Sequence, residues 1–549
     1  MYSDHLHIGI LTSLMASHGI RHVVVCPGNR NAPLAHNFST CPDFICHPVT
    51  DERSAAFVAL GLADALDQPV AVCVTSGSAL LATLPAAAEA TYRRRGLVVI
   101  SADRPAAWIG QLDGQTLPQS GALTPFAVHS VTLPEIHSQE DHWYCNRLIN
   151  EAFIALERQD GCCVHINVPT AEPLFNFTME TLPRERVVRY VAWNKSLAGR
   201  FFGRRLLLVI GQTVHALPAA LIEALSRRMA VLSEQLSSDT LCCTDQMIHL
   251  IQARGLSEEL LPETVIYMGG NTVSKRLRQW LRSLPESVEQ VLVSPDGVLH
   301  DVSQHTSLLV EGSAETVVGD LCEALPQSSS PFLEKWQELR LQVETAHRRF
   351  TPAYSSMRAA QLLEETATAP STFSYANSMA VRYGCIYANH FIYCNRGLNG
   401  IEGTLSTTAG LALAHPTERI YCVIGDLSAF YDQTALSQQE LGGNLRILLL
   451  NNSGGAIFHS FPQLASSPAR DTLVSAAHRL TAEGLCAQCG ITYIKASDEA
   501  SLREGITRLV HDEGTRPVLL EVLTDPDQDI RIYKEYHQFI IDNYGVEKH

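Results

Sequence analysis

Ile420-Tyr421-Cys422-Val423-Ile424-Gly425-Asp426 and, further on, Leu445-Arg446-Ile447-Leu448-Leu449-Leu450-Asn451-Asn452-Ser453-Gly454-Gly455 decide how this chain is read. Each begins as an apolar run of strand length, as expected for a strand buried on both faces, and ends in turn-forming residues. Asn452 stands 26 positions after Asp426, room for a helix between two strands. Consecutive parallel strands place both residues at one carboxyl edge, where open α/β sheets hold ligands. Asp426 offers a carboxylate, Asn452 an amide oxygen and Gly454 a main-chain carbonyl unshielded by a side chain. Three oxygens are too few to enclose a cation, but they suit Mg2+ whose other positions go to phosphate oxygens and water. Nearby glycines let N–H groups approach those phosphates. Turns favour Asp, Asn and Gly in any protein, so the informative feature is their pairing on successive strands.

The alternation of strand-like and helix-length segments extends through the whole sequence. In the first third the strand-like runs are His22–Cys26, Pro69–Thr75, Leu97–Ser101 and Cys162–Val168. Arg205–Ile210, Ala230–Leu232, Val265–Met268 and Gln290–Val293 form a second set. Thr372–Tyr375, Phe391–Tyr393, Ile420–Ile424, Leu445–Leu450 and Val518–Val522 form a third. Pro183-Arg184-Glu185-Arg186 separates the first two sets, while Pro326–Pro331 and a charged helix-like run to about Phe350 separate the last two. The expected fold is α/β, with three doubly wound parallel-sheet domains at residues 1–184, 185–350 and 351–549.

Composition narrows the function. The chain has 549 residues, long enough for about three domains. Its 46% hydrophobic and 18% charged residues are those of a globular protein. Forty-one Lys and Arg against 57 Asp and Glu give a formal charge of −16, which argues against nucleic acid as a partner. No apolar run reaches the ~18 residues of a membrane span, and Met1-Tyr2-Ser3-Asp4-His5 does not open a secretion signal. A cytoplasmic protein is expected. Most of the fifteen cysteines sit in apolar runs and read as buried thiols, and Cys486-x-x-Cys489 lacks a second pair to complete a zinc site.

The Gly425-Asp426…Asn451-Asn452 arrangement is similar to the cofactor motif of thiamine diphosphate enzymes. Thr50-Asp51-Glu52-Arg53 offers the glutamate that such enzymes hold against the pyrimidine ring. Further segments follow in order: Cys26-Pro27-Gly28-Asn29-Arg30-Asn31-Ala32-Pro33-Leu34, Asp51–Phe57, Ser101-Ala102-Asp103-Arg104-Pro105 and Ser274-Lys275-Arg276-Leu277. Asn377-Ser378-x-x-Val381-Arg382, Asn395-Arg396-Gly397-x-x-Gly400-Ile401-x-Gly403 and Gly454-Gly455-Ala456-Ile457-Phe458 complete the set. Together they resemble the 2-succinyl-5-enolpyruvyl-6-hydroxy-3-cyclohexene-1-carboxylate (SEPHCHC) synthase family of menaquinone biosynthesis, a branch of the thiamine diphosphate-dependent carboligases.

The resemblance implies a transferase that decarboxylates 2-oxoglutarate and adds the succinyl unit to isochorismate, releasing CO2. It implies thiamine diphosphate and Mg2+, with Mn2+ as a substitute, and Asp426, Asn452 and Gly454 as the metal ligands. Glu52 would hold the pyrimidine in its imino form, Ile401 would lie beneath the cofactor, and Ile457 and Phe458 would border it. Ser378 and Arg382 would take the distal carboxylate derived from 2-oxoglutarate, while Arg30, Arg104, Gln115 and Lys275 would surround isochorismate. Arg396 would lie near the reacting centre. Arg suits these dicarboxylates because its planar fork makes two parallel hydrogen bonds. Glu52 and the metal ligands fall in different domains, and in resembling enzymes those come from different subunits, which implies a homodimer or homotetramer.

Asn29 and Asn31 stand where the family has small hydroxyl residues, and Gly114 replaces an amide residue before Gln115. These departures touch the acceptor pocket and leave the cofactor motif intact. Three alternatives stand beside the reading: an acetolactate-synthase-like decarboxylase or carboligase, a catalytically silent cofactor binder, and a nicotinamide-dependent oxidoreductase. The cations Arg30, Arg104, Lys275, Arg382 and Arg396 weigh against a small apolar substrate. Glu52, Asp426 and Asn452 together weigh against a silent protein, and the lack of G-x-G-x-x-G weighs against a nicotinamide enzyme.

Overall fold

The computed structural model describes residues 1–158, 161–255 and 258–544; residues 545–549, the end of the expected third domain, lie outside the described residues. Three six-stranded parallel sheets with interleaved helices make up an α/β fold. The first sheet contains β1 (His22–Val25), β2 (Ile45–Pro48), β3 (Val70–Val74), β4 (Leu97–Asp103), β5 (Ala127–Thr132) and β6 (Cys163–Pro169). The second contains β7 (Arg189–Ala192), β8 (Leu206–Ile210), β9 (Ala230–Ser233), β10 (Thr264–Met268), β11 (Glu289–Ser294) and β12 (Thr306–Glu311). The third contains β13 (Ser371–Tyr375), β14 (Ile392–Tyr393), β15 (Arg419–Gly425), β16 (Leu445–Asn451), β17 (Thr492–Ala496) and β18 (Val518–Leu523).

The chain divides into two compact units. One unit comprises Met1–Trp193 with Glu289–Gly312, and so holds the first sheet and the paired strands β7, β12 and β11. The other comprises Asn194–Val288 with Ser313–His549, holding β8, β9, β10 and the third sheet.

The first and third sheets share one strand order, β2-β1-β3-β4-β6-β5 and β14-β13-β15-β16-β18-β17. In each, the chain adds its second strand on one side of the first and its third on the other, so the order switches between β1 and β3 or between β13 and β15. Such a switch point opens a crevice at the carboxyl ends of the strands. Every residue of β3, β4, β8, β10 and β16 is buried, which is why these strands read as nearly unbroken apolar runs. Each fully buried Val, Leu or Ile contributes roughly 1.5–3 kcal/mol of hydrophobic stabilisation.

Within the second unit, side chains tie the β8–β10 half to the third sheet. Gln212 Nε2 donates to the Cys394 carbonyl at 2.9 Å and Gln235 Nε2 to the Ala388 carbonyl at 3.0 Å. Gln246 Nε2 donates to the Tyr536 hydroxyl at 3.1 Å. Among the described residues, no helix is long and apolar enough to cross a membrane. All fifteen cysteines are free thiols, Cys486 and Cys489 included.

Candidate active site

In the first unit, Asp51 begins the helix Glu52–Leu66 by accepting a hydrogen bond from the Ser54 N–H at 2.8 Å. Glu52 is therefore fixed in the first helical turn, half-buried at the positive end of the helix dipole. Ala55, Ala56, Ala59, Leu60 and Ala63 form the buried face, whose small side chains let the helix sit close to the sheet. Phe57 and Val58 point the other way and remain 43% and 42% exposed.

Arg30 follows β1 and is buried. Its guanidinium donates to the Thr170 carbonyl at 3.1 Å and pairs with Glu172 at 3.0 Å, both in the segment after β6. Arg104 follows β4. Its Nε lies 3.0 Å from both the Gly114 carbonyl and an Asp113 carboxylate oxygen, joining Arg104 to the loop that carries Gln115. Gln115 is exposed, with a left-handed φ of 55°. Its main chain passes so close to Gly77 that a Cβ there would sit 3.1 Å from the Gln115 carbonyl oxygen.

Beneath Arg104 lies a buried polar network that sequence reading missed. Asp103 accepts from the Arg104 N–H at 2.8 Å and from Asn167 at 2.9 Å, while burial pushes its carboxyl pKa up. Gln119 accepts from the Gly77 N–H at 2.7 Å and donates to Asn167 at 2.8 Å. Ser101 links this network to His165 at 2.8 Å. A cavity of about 590 Å³ opens beside the Cys26–Asn31 turn, lined by Cys26, Gly28, Asn31, Cys46 and Thr50, but not by Arg30 or Glu52. Asn31 donates to the Cys26 carbonyl at 2.8 Å, which accounts for an amide at that position.

In the second unit, a cavity of about 540 Å³ brings Lys275, Arg382 and Ile457 together with Asp245, Tyr533 and His537. Lys275 opens the helix Lys275–Ser283, whose cap is the Ser274 hydroxyl accepting from the Leu277 N–H at 3.0 Å. A cation at a helix N-terminus opposes the dipole by roughly 0.3–1 kcal/mol, so helix stability does not explain Lys275. The turn before it is held by the buried Glu234 carboxylate, which accepts from the Val273 N–H at 2.6 Å and the Ser274 N–H at 2.8 Å. Burial raises the pKa of Glu234.

Ser378, just past β13, has a left-handed φ of 73°, and its carbonyl accepts a hydrogen bond from Arg382. Arg396 is buried and donates to Asn377 Oδ1 and to the Thr272 carbonyl, both at 3.0 Å. Burial lowers its pKa. Asn377 also donates to the carbonyls of Asn395 at 2.7 Å and Gly400 at 2.6 Å, clamping the loop of Arg396 and Ile401. Ile401 remains 38% exposed, and its carbonyl accepts from the Ser428 hydroxyl.

Asp426 directly follows β15 in the third sheet, next to the switch point. Its Oδ2 accepts from the Gly454 N–H at 2.9 Å and lies 3.3 Å from His478 Nε2, while Oδ1 accepts from the Leu427 N–H at 2.7 Å. Asn452, buried just past β16, donates Nδ2 to Asp529 at 3.1 Å, and its Oδ1 has no partner. A Cβ on Gly454 would come within 2.9 Å of the Ser475 carbonyl oxygen, so glycine is required there. An added Cβ on Gly455 would lie 2.8 Å from the Phe458 ring, which would have to shift to admit it. An unpartnered buried amide oxygen beside a carboxylate and a glycine carbonyl fits a hard cation that also binds phosphate. No cluster of three His, Cys, Asp or Glu side chains suited to a metal occurs among the described residues, so this set of mixed oxygen donors stands apart from such cages.

Sequence reading singled out groups at strand ends, helix starts and loops, while Glu234, His478 and Asp529 escaped it and Asn377 entered only as part of a motif. Asn377 alone carried a local signal, the Asn377-Ser378 pair after β13.

Residues 9–123 match the family model described as thiamine pyrophosphate enzyme, N-terminal TPP binding domain, and residues 375–522 match the corresponding C-terminal TPP binding domain. With the two switch-point sheets, these matches define a thiamine pyrophosphate enzyme. The chain is 41% identical to the 2-succinyl-5-enolpyruvyl-6-hydroxy-3-cyclohexene-1-carboxylate synthase of Bacteroides fragilis, over 98% of this chain and 99% of that protein. The synthases of the same name from Phocaeicola vulgatus and Porphyromonas gingivalis are 39% and 32% identical, covering 98% and 100% of this chain and 99% of each relative. The chain belongs to the 2-succinyl-5-enolpyruvyl-6-hydroxy-3-cyclohexene-1-carboxylate synthase family.

Proposed function

We propose that this protein decarboxylates 2-oxoglutarate and adds the succinyl unit to isochorismate, forming SEPHCHC and CO2 in menaquinone biosynthesis. The observation that carries the substrate assignment is the cavity lined by both Lys275 and Arg382. Two cations lining one cavity suit acidic substrates and oppose a small apolar one. Asp426, Asn452 and the Gly454 carbonyl would hold Mg2+ or Mn2+ against the diphosphate of thiamine diphosphate, and the unpartnered Asn452 Oδ1 supports this reading. When bound, the cofactor supplies the nucleophilic carbon and the electron sink that decarboxylation of a 2-oxo acid requires.

The protein's residues bind, orient and move protons. Glu52 would hold the proton it shares with the pyrimidine ring, its carboxylate fixed in the first turn of its helix. Ile401, Ile457 and Phe458 would present apolar surface to the cofactor and exclude water from it. Ser378 and Arg382 would orient the distal carboxylate of 2-oxoglutarate, and Arg396 would stabilise charge near the reacting carbon. Arg30, Arg104, Gln115 and Lys275 would bind isochorismate. The same reading keeps domains at 1–184, 185–350 and 351–549 and a cytoplasmic location. It makes the enzyme a homodimer or homotetramer, and exposed Phe57 and Val58 on the helix of Glu52 support association of subunits.

The test is an assay of purified protein with thiamine diphosphate, Mg2+ and 2-oxoglutarate, with and without isochorismate, the product identified by mass. Isochorismate-dependent CO2 release with SEPHCHC formation is expected. CO2 release without consumption of isochorismate would refute the acceptor assignment.

A further inference from the structure

We infer that Asp529 is a positioning residue for the metal site: it dictates which end of the Asn452 amide faces the cation. This rests on the reading of Asn452 as a metal ligand. Asp529 lies in the first turn of the helix Pro526–Asp542 and is completely buried. Its Oδ1 accepts from the Ser356 N–H at 2.8 Å. Its Oδ2 accepts from the Ser356 hydroxyl at 2.6 Å, the Thr524 hydroxyl at 2.8 Å and Asn452 Nδ2 at 3.1 Å.

The Ser356 N–H and both hydroxyls donate to the Asp529 carboxylate, whose oxygens act as acceptors, so the end of the Asn452 amide that faces it is the NH2. The oxygen is thereby turned away from Asp529, and it is the buried atom without a partner. Asparagine has two nearly isosteric orientations, of which only one offers an oxygen to a cation. Asp529 selects that orientation, at a position 77 residues from Asn452.

The isosteric change Asp529→Asn reverses the selection. The Ser356 N–H cannot rotate and keeps an oxygen opposite it, so the new NH2 takes the place of Oδ2. The Ser356 hydroxyl can turn to accept one of its two hydrogens while the Thr524 hydroxyl, 3.1 Å away, turns to Ser356, and Asn452 can accept the other hydrogen only by turning its own oxygen inward. Its NH2 would then face the cation. Combining Asp529→Asn with Asn452→Asp restores the match, because residue 452 can accept from the amide and still offer an oxygen outward.

Mn2+ binding to the full-length protein in the presence of thiamine diphosphate, followed by electron paramagnetic resonance, reads this without turnover. Asn452→Ala should weaken Mn2+ binding, as the ligand assignment requires. Asp529→Asn should weaken it roughly 10- to 100-fold, and the double variant should return to within about threefold of wild type. Unchanged binding in Asn452→Ala would overturn the ligand assignment and this inference with it. Weaker binding in Asn452→Ala but not in Asp529→Asn would overturn the inference alone, as would a double variant that stays weak. If Asp529→Asn does not fold, the double variant, whose donors and acceptors are matched, decides on the same threefold criterion.

Discussion

Glu234→Gln should loosen the turn that presents Lys275 while leaving the fold intact. The wild-type carboxylate receives two main-chain N–H groups, from Val273 at 2.6 Å and Ser274 at 2.8 Å. A glutamine has one oxygen, so in either orientation one N–H meets an NH2 and loses its acceptor. A buried donor left unpaired costs roughly 1–3 kcal/mol. Removing a charge whose burial is unfavourable offsets part of that, leaving a net effect of about 1–2 kcal/mol. If that energy now fixes Ser274 as the cap and Lys275 at the cavity wall, the KM of the acidic substrate that meets Lys275 should rise roughly tenfold, since ~1.4 kcal/mol is one decade. Hydrogen exchange at the amides of residues 273–277 should accelerate by a similar factor. Steady-state kinetics with each substrate varied in turn, together with exchange mass spectrometry, check both effects. A variant with KM values and exchange rates within about twofold of wild type would refute the assigned role of Glu234 in holding that turn.

Three other outcomes are expected. Glu52→Gln should reduce turnover by about 100-fold or more, the scale of a lost proton-transfer group. Its circular dichroism should be unchanged, because the half-buried side chain has little packing to lose. Gly28→Ala would bring a Cβ within 2.5 Å of Thr75 Cβ and 2.4 Å of Asn31 Oδ1, so the variant should be destabilised by about 1–3 kcal/mol in denaturant unfolding. Burial lowers the His165 pKa to about 4, below the ~6.5 of an exposed imidazole. The unfolded chain therefore takes up that proton first, and stability should fall by ~3 kcal/mol at most as pH drops from about 6.5 to about 4. Unfolding of His165→Gln across that window should show a shallower pH dependence than wild type, and an equal slope would count against the assignment.

The parts of the fold legible in the sequence are those buried on both faces. Val70–Val74 is apolar throughout and Leu445–Leu450 is apolar but for the buried Arg446, so composition marks them. Ile45–Pro48 and Arg189–Ala192 lie at sheet edges, have exposed ends and no fully buried residue, and are only four residues long, giving no comparable run. Thr306–Glu311 also escaped, because Thr306, Ser307 and Glu311 leave only three central apolar residues. Of the candidate site, Asp426 and Asn452 were legible because parallel topology turns strand ends into neighbours. Glu234 and Asp529 were not, since each supports a distant turn and a lone acidic residue in sequence does not reveal whose N–H groups it will receive. The buried network of Asp103, Gln119 and Asn167 was hidden for the same reason: its members come together only after the sheet has formed.

The glutamine and arginine hydrogen bonds inside the second unit bear on how the enzyme can be dissected. Gln212, Gln235 and Gln246 reach carbonyls or a hydroxyl of the C-terminal part, and Arg396 reaches back to the Thr272 carbonyl. A C-terminal fragment beginning near residue 351 would keep its sheet but strip these acceptors and the buried guanidinium of their counterparts. Engineers seeking a minimal diphosphate-binding module would therefore recover an aggregation-prone polypeptide, and recombination between homologues should preserve both sides of this seam together.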